Sequence, residues 1–116
     1  MSLIELATDL LKALATSDLD RVSALCTRDV LVYGTDEGER WDRREELLRA
    51  LDAMRSLQLQ ADWTEAPAAG ADWVAGVALY RSPSMAPTTV RITMVFRDAL
   101  LVHGHFSVEA PAVSPS

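Results

Sequence analysis

Residues 57–64 read Leu-Gln-Leu-Gln-Ala-Asp-Trp-Thr, with an apolar side chain at every second position. In an extended chain successive side chains point to opposite faces, so Leu57, Leu59, Ala61 and Trp63 form the covered side of a strand. Immediately upstream the apolar period is that of a helix. Leu47, Leu48, Leu51, Met54 and Leu57 recur at helical spacing behind Asp42 and Glu45, which read as a capping pair. The change of period divides the chain into a helical half and a strand half.

Working back from that point, Ser2 and Glu5 form a capping-box pattern, and Leu3, Leu6, Ala7, Leu10, Leu11 and Leu14 line one side of a helix running to about Thr16. Ser17 or Asp18 then caps a shorter helix whose stripe is Leu19, Val22, Leu25 and Cys26. Val30–Tyr33 reads as a strand ending at Gly34, followed by a polar loop over Thr35–Asp42. Working forward, Pro67–Gly70 is a turn, and Asp72–Tyr80, Thr88–Arg97 and Leu100–Val108 are long strands. They are separated by a loop at Ser82–Pro87 and a tight turn near Asp98–Ala99. The expected architecture is α+β, three N-terminal helices packed on a curved antiparallel sheet to give a cone. One domain is expected over residues 1–110, with a frayed tail over 111–116.

The 116 residues suit one core rather than two, and a 49% hydrophobic share with three Trp is enough to fill it. A net charge of −6, with arginines interleaved among acids from Arg40 to Glu46, repels phosphate backbones and argues against nucleic acid. No apolar run approaches the ~20 residues of a membrane span, so neither a membrane partner nor export is expected and the location is read as cytoplasmic. The single cysteine, Cys26, reads as a buried structural thiol.

Three segments then resemble one family: the helix pair followed by DVLVYGTDEGERW, the helix after it, and the closing strand LLVHGHFSVEAP. Gly34, Thr35, Glu39, Trp41, His103, His105 and Ser107 match the Gly-Thr…Glu…Trp loop and late His-x-His-x-Ser strand of the SnoaL-like branch of the nuclear transport factor 2-like superfamily. Members often carry a glycine two residues after the loop Trp, where this chain has Arg43. The resemblance implies a cystatin-like cone, a ligand pocket between helices and concave sheet, and a homodimer formed through the sheet. It does not imply one chemistry, because the superfamily spans isomerases, cyclases, dehydratases and association domains.

His103, His105 and Ser107, at i, i+2 and i+4, share one side of their strand. Two imidazoles there could serve as acid and base, or they could satisfy neighbours or line a subunit interface. Arg91 and Thr93 share a face of the preceding strand, where Arg91 could bind a carboxylate or enolate, or pair with Asp72, Asp62 or Glu39. Glu39 is the loop acid that matches the family motif, and it reads as a carboxylate base or as a structural acid that caps the following backbone or holds an Arg. Tyr33, Trp41 and Trp63 are candidates to line a ligand cavity, although core packing also accounts for them.

With two His in all and the carboxylates in a distant loop, no metal site is expected. Without a Gly-rich phosphate loop or a CxxC pair, no cofactor is expected either. Two functions follow. In the first, a small-molecule enzyme of cyclase, isomerase or hydrolase type uses His105 to move a proton, His103 or Glu39 to orient it, and Arg91 to steady negative charge on an apolar ligand. In the second, a non-catalytic binding or dimeric association module packs the histidine face against a partner subunit. The two separate on whether that face looks into a cavity or outward.

Overall fold

A computed structural model describes residues 1–109. The expected tail over 111–116 lies outside the described residues. Helix α1 spans Leu3–Thr16 and begins with the full capping box, Ser2 accepting from the Glu5 amide and Glu5 accepting in return from the Ser2 amide. It ends at Ser17, which is left-handed at φ 55° and buried, its hydroxyl donating to the Leu51 carbonyl at 2.7 Å. Asp18 caps α2, Leu19–Leu25, and the chain passes directly into strand β1, Cys26–Tyr33. Cys26 is therefore the first residue of a strand rather than the last of a helical stripe, and it is buried all the same.

The loop expected over Thr35–Asp42 folds back on β1. Its short strand β2, Arg40–Trp41, pairs antiparallel with β1, Val32 facing Trp41 and Tyr33 facing Arg40. Helix α3 covers Arg44–Met54 and continues as a 3-10 turn over Arg55–Leu57. Arg43, at the N-cap, has φ −145°, an extended conformation open to any residue, so the loop does not need the glycine many family members place there. Asp42 does not cap the helix; it sits one residue earlier, accepting from Arg40, while its amide donates to Glu46.

The remaining strands are β3 (Gln60–Trp63), β4 (Ala68–Ala69), β5 (Trp73–Ser82), β6 (Met85–Arg97) and β7 (Leu100–Val108). The loop expected at Ser82–Pro87 is a tight hairpin, with Ser82 facing Met85 and Tyr80 facing Thr88. Ala86 and Pro87 together oppose Arg81 at this irregularity, and Pro87 is tolerated because a bulge leaves a backbone position without a ladder partner. Asp98 and Ala99 both have positive φ, 52° and 62°, as a two-residue hairpin turn requires.

The sheet order is β2-β1-β7-β6-β5-β3, with β4 paired to β5. The sheet is mixed rather than purely antiparallel, since β1 runs parallel to β7, Leu31 facing His103 and Tyr33 facing His105. Helices cover one side only: α1 packs on β3 and β5, and α3 packs on β1. Between helices and sheet lie Leu6, Leu10, Leu11, Leu14, Val22, Leu47, Val74, Ala78, Ile92, Met94, Phe96, Leu101 and Phe106, all buried.

Candidate functional site

Alternation along the strands sorts every expected site residue to one side of the sheet or the other. On β6, Val90, Ile92 and Met94 are buried toward the helices while Arg91 and Thr93 are exposed. On β7, Gly104 and Phe106 are buried while His103, His105 and Ser107 stand on the opposite side. The register then builds rows across the outer face. Trp73, Val95, His103 and Leu31 form one, Ala75, Thr93, His105 and Tyr33 the next, and Val77, Arg91 and Ser107 a third. The histidine face thus looks away from the helices.

Tyr33 is the hub of this face. Its ring lies 5.7 Å from the His103 ring and 5.6 Å from the His105 ring, tilted by 58° and 56°, in the range of edge-to-face aromatic contact. The Arg40 guanidinium sits 5.9 Å from the Tyr33 ring centre and bonds Asp42 at 2.5 Å; that hydrogen bond, with the attraction of the Asp42 charge, raises the Arg40 pKa. Arg91 pairs with Glu109 at 3.3 Å, not with Asp72, Asp62 or Glu39 as the sequence suggested, because it points outward where the next strand ends. Asp62 instead takes Arg81 at 2.9 Å.

The other expected residues are elsewhere. The Glu39 side chain accepts from the Asp36 amide at 2.9 Å, and its carbonyl accepts from the Gly34 amide at 3.1 Å. A side chain at Gly34 would meet Glu39 Oε1 at 2.6 Å and the Trp41 ring at 2.8 Å, so Gly34, Glu39 and Trp41 form one self-braced loop. That packing accounts for the whole Gly…Glu…Trp pattern. Trp63 lies on the helix side, its indole N–H donating to Thr8 Oγ1 at 2.9 Å and its ring lying against Gly76. Thr8 is a polar group of α1 that the sequence reading passed over.

Among the described residues no His, Asp or Glu is buried between helices and sheet. Polar groups on this side include the buried Ser17, already bonded to Leu51, the Cys26 thiol and the Tyr80 phenol. Burial pushes the Cys26 thiol up to about 12 and the Tyr80 phenol well above its usual range, so both stay protonated at neutral pH. A surface depression of about 360 Å³ opens beside the β6–β7 turn, between Leu3, Asp72, Phe96, Arg97 and Asp98, and none of the expected site residues lines it. Among the described residues no group of three or more His, Cys, Asp or Glu is placed to hold a metal ion. No helix there is long and apolar enough to cross a membrane.

The helix pair, braced loop and histidine strand are the features that carry the family resemblance of the sequence. The SnoaL-like domain profile matches residues 3–111. The chain belongs to the SnoaL-like domain family. No curated protein matches it. Among solved structures, a candidate ketosteroid isomerase from Kribbella flavida superposes with a TM-score of 0.83 at 17% identity, over 97% of this chain and 81% of that one. A protein of unknown function with a cystatin-like fold from Xanthomonas campestris gives 0.78 at 14% identity, over 95% and 92%. IdmH, a candidate polyketide cyclase from Streptomyces antibioticus, gives 0.74 at 16% identity, over 90% and 90%. At these identities the likeness is one of fold, shared by this SnoaL-like domain and proteins with different names.

Proposed function

We propose that this SnoaL-like domain works as a homodimeric association module that pairs through the outer face of its sheet, with its histidines at that interface rather than in a catalytic pocket. The observation that carries the reading is the placement of His103, His105, Ser107, Arg91 and Thr93 on the side of the sheet away from the helices.

The area and charge of that face support it. Four strands spaced ~4.8 Å apart, each contributing about four outward residues, offer about 500 Å² per subunit and about 1,000 Å² per pair, where specific interfaces begin. The face carries apolar and aromatic surface in Leu31, Tyr33, Trp73, Val77, Leu79 and Val95. Arg91 is matched by Glu109, Arg40 by Asp42 and Arg81 by Asp62, which lowers the cost of drying these three.

The enzyme reading needs an acid or base beside a substrate space, and among the described residues no His, Asp or Glu is buried on the helix side. A small apolar ligand remains compatible with the fold, entering the helix–sheet space by displacing side chains, and the isomerase and cyclase names of the similar structures do not alter that. The lone buried thiol suits a reducing, cytoplasmic setting.

Sedimentation velocity of the wild-type chain and of Thr93→Arg tests the reading, because Thr93 is exposed at the centre of the face. The expected result is a dimer that becomes a monomer of unchanged circular dichroism in the variant. A wild-type monomer at 100 µM, or a Thr93→Arg dimer of undiminished affinity, refutes it.

A further inference from the structure

The rows that contain the two histidines hold no carboxylate. His103 stands between Val95 and Leu31, with Trp73 beyond, and His105 stands between Thr93 and Tyr33, with Ala75 beyond. Within the described residues neither imidazole is part of an ion pair. We propose that the dimer is acid-labile: protonation of His103 and His105 places up to four like charges in the closed interface and drives the subunits apart. This rests on the dimer reading above and adds a regulatory input to the same surface.

The charged and titratable groups around the pair come from every neighbouring strand. Just past β7, Glu109 is engaged by Arg91, and Arg91 from β6 is held one row beyond His105. Arg97 is exposed at the end of β6, past the irregularity that follows Val95. On β2, Arg40 lies over Tyr33 and is bonded to Asp42, so the cation nearest the hub already has its counter-ion. On β1, Tyr33 touches both rings, and Asp29 lies two residues before Leu31. On β5 the nearest charge is Arg81, beyond Leu79 and bonded to Asp62. Glu109, Asp42 and Asp62 are thus occupied, and the nearest carboxylates outside an ion pair among the described residues lie off these rows, Asp29 two residues before Leu31, Asp72 next to Trp73 and Asp98 in the β6–β7 turn. Neither imidazole therefore gains a carboxylate partner within its own row when it is charged.

An imidazole changes charge between pH 5 and 8, and a proton that must leave before association makes Kd depend on pH. One obligatory proton per subunit is two per dimer. Once the imidazoles are charged, Kd then rises by up to about 100-fold per pH unit, and two protons per subunit steepen it further.

The experiment is sedimentation equilibrium of the full chain at pH 7.5, 6.5 and 5.5, with circular dichroism at each pH, beside His103→Gln, His105→Gln and the double variant. The expected wild-type Kd rises at least tenfold from pH 7.5 to 5.5 with the fold intact, each single variant flattens the slope, and the double variant changes less than threefold. A dimer whose Kd is constant or falls on acidification overturns the switch and leaves the dimer reading standing. Equal slopes in wild type and both single variants overturn the assignment to these histidines, and those variants serve if the double variant does not fold. A monomer at pH 7.5 overturns the dimer reading and the switch together.

Discussion

Gly76→Ala asks directly whether the helix side of the sheet is hollow or filled. Gly76 lies in the middle of β5, and a Cβ built there would stand 2.9 Å from Pro67 Cβ and 3.1 Å from both Cε3 and Cζ3 of Trp63. Without those neighbours the substitution would stabilise, since glycine in a strand costs roughly 0.5–1 kcal/mol relative to alanine through the freedom its unfolded chain retains. With them the sign reverses. Pro67 is a buried rigid ring, and Trp63 is pinned by its hydrogen bond to Thr8, so neither yields by the few tenths of an ångström required without disturbing α1. Overpacking of this kind costs about 1–3 kcal/mol, a net loss of up to about 2.5 kcal/mol after the entropic gain. Urea unfolding followed by tryptophan fluorescence reads it as a lower midpoint at unchanged slope. Trp63→Leu in the Gly76→Ala background should recover part of the loss, the two residues being in contact. If Gly76→Ala is as stable as wild type or more so, an open cavity lies over β5, and the filled interior on which the association reading depends is wrong.

Three other outcomes follow from single contacts. Glu39→Ala should lose ~1 kcal/mol and speed hydrogen exchange at the Asp36 amide, whereas Glu39→Gln, which keeps an acceptor, should change little; a large effect of the glutamine would show that the charge matters beyond the loop. Ser17→Ala should cost ~1 kcal/mol, because it loses the hydrogen bond to Leu51 and keeps the left-handed backbone. Ser17→Gly should be close to neutral because relief of that backbone offsets the same loss, and equal midpoints in thermal melts would contradict this.

Cys26 should resist modification by a thiol reagent except at the rate of unfolding. Its raised pKa also carries a sign. Above about pH 9 the unfolded thiol ionises while the folded one holds its proton up to about 12, so stability falls through that window, and Cys26→Ala should flatten the fall.

The strands and helices were legible because one face of each is apolar, and period alone distinguishes 2 from 3.6. Leu100–Val108 stands in the structure with the expected bounds. The short strands β2 and β4 were not legible: two residues carry no period, and they exist because β1 and β5 lend them a ladder. Nor does a sequence state which strand lies beside β1, so the parallel partner β7 had no local signal. For the site, alternation correctly put His103, His105 and Ser107 on one side, and likewise Arg91 and Thr93. Which side the helices would take follows from Phe106, Met94 and Ile92, the larger apolar set on the opposite parity of the same strands. That comparison was available in the sequence and points the histidines outward. Glu109 as the partner of Arg91 was hidden for another reason, since it depends on the register of two strands rather than on spacing within one.

The parallel pairing of β1 with β7 also sets a timetable. Leu31 meets His103 across roughly seventy residues of intervening chain, and at a synthesis rate of about 5–20 residues per second the ribosome needs several seconds to deliver the partner. Until then one long edge of β1 has no ladder, while the hairpins β5–β6 and β6–β7 join neighbours in sequence and can close as they emerge. A nascent chain therefore keeps the backbone donors and acceptors along that edge of Leu31–Tyr33 unpaired, and a chaperone that recognises short extended apolar segments would find its target there, early in the chain and only during synthesis.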